Sequence, residues 1–224
     1  MSLAPTDYDF GNASNYFFAT TITCASEEAR AMYVEAFGHM LNYNHEQAIA
    51  CFTQCAELDP TCAMAYWGIA YCLSSSYNWA PGLGSGYDSI QLALANKEGC
   101  TELEIDLIDA LSLRHTKEAR DQMDPTVLNM GNTPELNAAF ADAMEPIYEK
   151  YAGNLDVAAI YVEALMNLNP WQLWEKNTST GEITPIDDNT LLLIKVMEDA
   201  FESSEEAKVH PAICHLYCHA LELS

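Results

Sequence analysis

Ala48, Phe52 and Pro60 stand in the spacing A-x3-F…P, and Ala36 recurs 34 residues later as Ala70. A period of that length is one pair of antiparallel helices with its turns. The alanines are small because the two helices of a pair cross closely, and the proline ends the second helix by removing a backbone donor. A chain with this pattern is constrained to the all-α class. The expected architecture is a right-handed superhelical solenoid of antiparallel helix pairs, in which each pair buries its apolar face on the next.

The rest of the chain fits that plan with about nine helices. Ser26, followed by Glu27 and Glu28, supplies a capping hydroxyl and two acids for the positive end of a first helix reaching Leu41. Asn42-Tyr43-Asn44 makes the turn, and a second helix runs from His45 to the Asp59-Pro60 corner. A third spans 61–74. After an insertion at 75–87 with Pro81, Gly82, Gly84 and Gly86, a fourth covers 88–97. Thr101-x-x-Glu104 is a capping box for the fifth, and 117–131 is expected as a polar loop. Thr133-Pro134 opens the sixth, the seventh spans 155–168, and the eighth 189–203, after a second insertion at 169–188. Pro211 opens the ninth. Residues 1–25 are an extended lead-in and 26–224 one repeat domain. Its last helix remains apolar at Ala220, Leu221 and Leu223 with no polar capping helix after it. The expectation is a repeat array cut short at its C-terminus, or a terminal helix that packs back on the body or forms a homodimer.

Charge excludes whole classes of partner. Nine basic residues against 33 acidic ones give a formal charge of −24, the opposite of what phosphate backbones or anionic membranes require. Nucleic acid and membrane are therefore not expected partners, whereas a basic peptide or a cation is. Of eight cysteines, Cys51 with Cys55 and Cys214 with Cys218 are four apart on expected helices, and the set suits buried reduced thiols better than disulfides. No early stretch joins basic residues to an apolar run, and a cytoplasmic home is expected.

Two sets of residues offer a site. Tyr33, Phe37 and Met40 share a face of the first helix, and Trp67 and Tyr71 a face of the third; Trp79 and Trp171 sit on the insertions. These seven form either a concave binding groove or, for the helical ones, a core stripe and, for the loop tryptophans, lids over helix ends. The second set is His215, His219 and Glu222, which a helical period places along one stripe away from Ile213, Leu216 and Ala220. Two histidines and a carboxylate at that spacing are a ligand set for zinc or another transition metal. No glutamate lies between them as a metalloprotease helix would need, and solvated histidines are the plainer alternative.

The segments Tyr43-Asn44-His45-Glu46-Gln47-Ala48, Leu58-Asp59-Pro60-Thr61-Cys62-Ala63-Met64-Ala65-Tyr66-Trp67-Gly68-Ile69-Ala70, Glu163-Ala164-Leu165-Met166-Asn167-Leu168-Asn169-Pro170-Trp171 and His210-Pro211…His215-Leu216-Tyr217…His219-Ala220-Leu221-Glu222 resemble a family of large, mostly bacterial tetratricopeptide-repeat (TPR) proteins. The resemblance implies an all-α solenoid that continues into further helix pairs, and implies no settled biochemical activity. This chain departs from it in its acidity and in Cys214 and Cys218.

The leading expectation is a non-enzymatic scaffold that binds a peptide or partner protein in its concave groove and needs no cofactor. The alternative is a metal-dependent enzyme or metal-binding protein using the His215, His219 and Glu222 face.

Overall fold

A serine hydroxyl opens the first helix. In the computed structural model, which describes residues 21–74, 76–77, 86–121 and 134–222, the Ser26 oxygen accepts from the Ala29 N–H at 3.1 Å and α1 runs Glu27–Leu41. Helix α2 (His45–Leu58) ends at Asp59, whose carboxylate builds the corner. One oxygen accepts from the N–H and the hydroxyl of Thr61 at 3.0 and 2.6 Å. The other accepts from the Ala25 N–H at 2.6 Å and so ties the segment before α1 to the same corner.

Helices α3 (Ala63–Leu73), α4 (Tyr87–Asn96) and α5 (Glu102–Ser112) follow. The capping box at α5 forms in both directions between Thr101 and Glu104. Buried Glu104 also accepts from the N–H and hydroxyl of Thr23, each at 2.7 Å. Replacing Thr101 with alanine removes half of that box while leaving the Thr23 bonds in place. The expected cost is about 1 kcal/mol, read as a fall of about 2–4 °C in Tm.

Beyond α5 come α6 (Lys117–Asp121), α7 (Pro134–Lys150), α8 (Leu155–Met166), α9 (Asp188–Ser203) and α10 (Pro211–Leu221), with a 3₁₀ turn at Glu206–Val209. That makes ten helices among the described residues instead of nine, because α6 forms inside the segment expected as a polar loop. A second departure lies in the insertion at 169–188. There β1 (Trp174–Lys176) and β2 (Ile183–Pro185) pair antiparallel, Glu175 opposite Thr184. The Asn177 side chain holds their turn by accepting from the N–H groups of Ser179 and Thr180.

Packing follows chain order. Each of α1 to α5 rests on the next, α5 meets α7, and α7 to α10 continue in sequence; α1 also touches α3, α3 touches α5, and α8 touches α10. No helix among the described residues is long and apolar enough to cross a membrane. The repeat residues lie between packed helices: Ala36, Ala48, Phe52 and Ala70 are all fully buried.

That same crowding removes the expected groove. Tyr33, Phe37, Met40, Trp67 and Tyr71 are at most 6 % exposed and belong to the core. Helices α1 and α3 are covered on more than one side by neighbours, so the face assigned to a ligand is filled by protein. Trp67 shows how: its indole N–H donates to the Leu107 carbonyl of α5 at 3.0 Å. Trp79 lies outside the described residues.

Candidate functional site

Helix α10 packs through Ala212, Ile213, Leu216 and Ala220. Its opposite stripe carries His215 and His219, and it does not face open solvent. Tyr43, from the turn between α1 and α2, lays its ring on His215 with centroids 4.4 Å apart. On the other flank Tyr77 and Trp171 stack on each other at 5.1 Å, and both reach the His219 ring, at 5.6 and 5.7 Å. Chain segments far apart in sequence thus close over one helix face.

Two of these covering residues are held in an unusual backbone state. Tyr43 and Trp171 have φ of 60° and 61°, the left-handed region that bulky side chains avoid. Each costs of order 1 kcal/mol or more, which the surrounding contacts must offset. Asn42 and Asn44 beside Tyr43 suit a turn of this kind.

The histidines themselves are ordered as a chain. His219 Nδ1 lies 3.0 Å from the Glu222 carboxylate, and His219 Nε2 lies 3.1 Å from His215 Nε2. A carboxylate only accepts, so Nδ1 carries the proton and Nε2 of His219 presents a lone pair. Burial, and then the proximity of His219, lower the pKa of His215 below that of an ordinary histidine. Both effects favour the neutral ring, the form that binds metals. Glu222 is therefore placed to orient His219 and not to stand as a third ligand on the same ion.

A second layer connects the site to the interior. The Tyr71 hydroxyl donates to the Glu163 carboxylate of α8 at 2.6 Å, and the Tyr43 hydroxyl lies against the same carboxylate. Burial pushes the Glu163 carboxyl up, while the tyrosine donors and the positive charge of Arg114 pull it back. Arg114, 2 % exposed, donates from Nε to Asn137, and Asn137 donates to the Asn167 carbonyl, both at 3.0 Å. Burial lowers the guanidinium pKa to about 10. Tyr71, expected in a groove, instead belongs to this polar network.

Beside Tyr43 opens a cleft of about 440 Å³ lined by Tyr43, Asn44, His45, Glu46 and Gln47. His45 is buried, and its ring nitrogens find no hydrogen-bond partner among the described residues. Burial drops its pKa to about 4. Elsewhere His210 caps α10 by accepting from the Ile213 N–H at its Nδ1. Its Nε2–H then donates to Asp156 at 3.1 Å, a buried structural pair.

The structure thus brings together His215, His219, Glu222 and Trp171 from the sequence-derived residues and adds Tyr43 and Tyr77. Tyr43 was legible only as a turn residue, since its position over His215 depends on the two ends of the fold meeting. Two further groups of metal-capable side chains have their ligand atoms within 4.8 Å of one another: Cys24, Cys55 and Cys62, and Glu35, His39 and Cys51. In comparison with known proteins, the chain matches no family model, no curated protein and no solved structure.

Proposed function

We propose that this chain is a TPR-like helical-repeat scaffold that holds a divalent transition-metal ion on the Nε2 atoms of His215 and His219. Packing in chain order supports the stacked-pair part of this reading. The observation that carries the metal is the facing of the two Nε2 atoms at 3.1 Å, with Glu222 occupying the far nitrogen of His219. Two imidazoles on one tetrahedral zinc, at about 2.0–2.1 Å from it, sit about 3.3 Å apart. A carboxylate behind a ligating histidine is the usual second support, fixing tautomer and ring angle. Two protein ligands leave positions open for water or a bound molecule. Such an ion would act there as a Lewis acid. Tyr43, Tyr77 and Trp171 form the walls around that space, and the −24 charge of the chain favours cations generally.

Equilibrium dialysis of the reduced protein against Zn²⁺, Ni²⁺ or Cu²⁺ tests this directly. The wild type should retain one ion more than His215→Ala/His219→Ala, with helicity unchanged by circular dichroism. Glu222→Gln should weaken affinity by about 10-fold or more. Retention that is indifferent to both histidine substitutions would sink the assignment.

A peptide-binding reading keeps one specific support. Trp171 is 51 % exposed while stacked on Tyr77, whose ring feels the charge of Glu222. An exposed aromatic platform beside a carboxylate suits a lysine or arginine side chain. A short basic peptide should then quench tryptophan fluorescence in the wild type and not in Trp171→Phe, with or without metal.

A further inference from the structure

Three thiols from separate parts of the chain converge at the corner between α2 and α3. Cys55 lies in the last turn of α2, Cys62 immediately precedes α3, and Cys24 comes from the segment leading into α1. Cys55 and Cys62 are fully buried and Cys24 is partly so. All three sulfurs lie within 4.8 Å of one another, with Cys55 and Cys62 at 3.9 Å. A disulfide would hold its sulfurs at about 2 Å. Thiolates on one tetrahedral zinc, each about 2.3 Å from the metal, are spaced at about 3.8 Å. The 3.9 Å between Cys55 and Cys62, where one thiol donates to the other, is also the spacing that co-ligands need.

The surroundings hold Cys24 in place. The Cys24 thiol donates to the Ser26 carbonyl at 3.6 Å and lies beside the Asp59 carboxylate. That carboxylate is fixed in turn by Thr61 and by the Ala25 N–H. Soft sulfur donors select zinc or monovalent copper over hard cations such as Mg²⁺ or Ca²⁺.

We propose that Cys24, Cys55 and Cys62 form a second metal site, taking a thiophilic ion of the Zn²⁺ or Cu⁺ class. Each thiol gives its proton to solvent as its sulfur binds, so no oxidant or reductant is involved. The ion would clip the segment before α1 onto the first helix pair and stabilise the fold by an amount that rises with the logarithm of free ion concentration. This site is independent of the His215 and His219 reading: it shares no residue with it and uses different donor atoms.

The test uses the full chain, reduced and stripped with chelator, then titrated with Co²⁺ as a spectroscopic probe. One equivalent should produce a thiolate-to-cobalt charge-transfer band, which imidazole ligands do not give, and Zn²⁺ should displace it. Titration with Cu⁺ against a chromogenic chelator shows which of the two ions the site prefers. Cys24→Ser and Cys55→Ser should each weaken Co²⁺ binding by about tenfold or more. His215→Ala/His219→Ala and Cys72→Ser should leave the band intact. Cys24 is only partly buried, so its serine variant is the one expected to keep its fold by circular dichroism. The proposal is overturned if the wild type gives no charge-transfer band and no Cu⁺ uptake, or if folded Cys24→Ser binds as the wild type does.

Discussion

Gly68→Ala should destabilise the protein by about 2–3 kcal/mol, lowering Tm by roughly 6–10 °C. A Cβ built on Gly68 would fall closer than 3.0 Å to three atoms of the Phe52 ring, Cζ and both Cε. That ring is fully buried and already packed against Tyr33, with centroids 5.4 Å apart. It has no free volume to retreat into, so the backbones of α2 and α3 must separate. On a surface helix the same change would gain about 1 kcal/mol of helix propensity, so the sign of the result is diagnostic. Phe52→Leu in the same chain should restore part of the loss, because a shorter side chain leaves room for the methyl group. The double variant would then be less damaged than the two single losses summed. Urea midpoints for the three variants give the answer. A neutral Gly68→Ala would mean that α2 and α3 do not cross where Phe52 meets Gly68.

This crossing shows what was legible in the sequence and what was not. The spacing of Ala48, Phe52 and Pro60 announces a helix pair because it encodes contacts between neighbouring helices. Caps were legible for the same reason: Ser26 and Thr101 act on backbone groups three residues away. Which of the two readings of the Tyr33, Phe37 and Trp67 faces holds, groove or core stripe, was not legible. A helical wheel ranks faces by polarity but does not say how many neighbours a helix has, and α3 is enclosed by α1, α2, α4 and α5. The hairpin at Trp174 and Ile183 escaped notice because strands of three residues leave no alternation to read.

The candidate site divides along the same line. His215 and His219 could be paired from their i, i+4 spacing alone. Their cover could not, since Tyr43 reaches His215 only when the first helical turn meets the last helix. The cysteine cluster lacked any short C-x2-C signature; it depends on a segment before α1 folding back on the α2–α3 corner. Local rules gave the elements, and the sites sit where distant elements close on one another.

That closure also buries titratable groups, and it makes stability steeply dependent on pH below neutrality. His45 is held neutral by burial, its pKa lowered to about 4. The pKa of His115 is lowered to about 3, first by burial and then by the adjacent Arg114 charge, although the Ala70 carbonyl favours its protonated form. The His115 ring also fixes the α3 end, with Nε2 2.8 Å from the Ser74 hydroxyl and 3.1 Å from that carbonyl. In the unfolded chain both rings titrate near 6.5. The folded state therefore binds fewer protons than the unfolded state between pH 6.5 and about 4, and stability falls as pH falls through that window. Each group contributes up to about 1.4 kcal/mol per pH unit, so the pair removes about 4 kcal/mol between pH 8 and pH 5. Glu163 works the other way, because its folded pKa lies above the ordinary value and its protonation on acidification relieves a buried charge. Asp59 enters only below the ordinary carboxylate range, since its pKa is lowered. Urea unfolding at half-unit steps from pH 8 to pH 5 should show the loss. His45→Leu and His115→Gln should each flatten the slope by about half, the latter keeping a side-chain donor for the Ala70 carbonyl. A flat profile through pH 5.5 would show that both rings reach water in the folded protein, and that the first helical turn is not closed over as described.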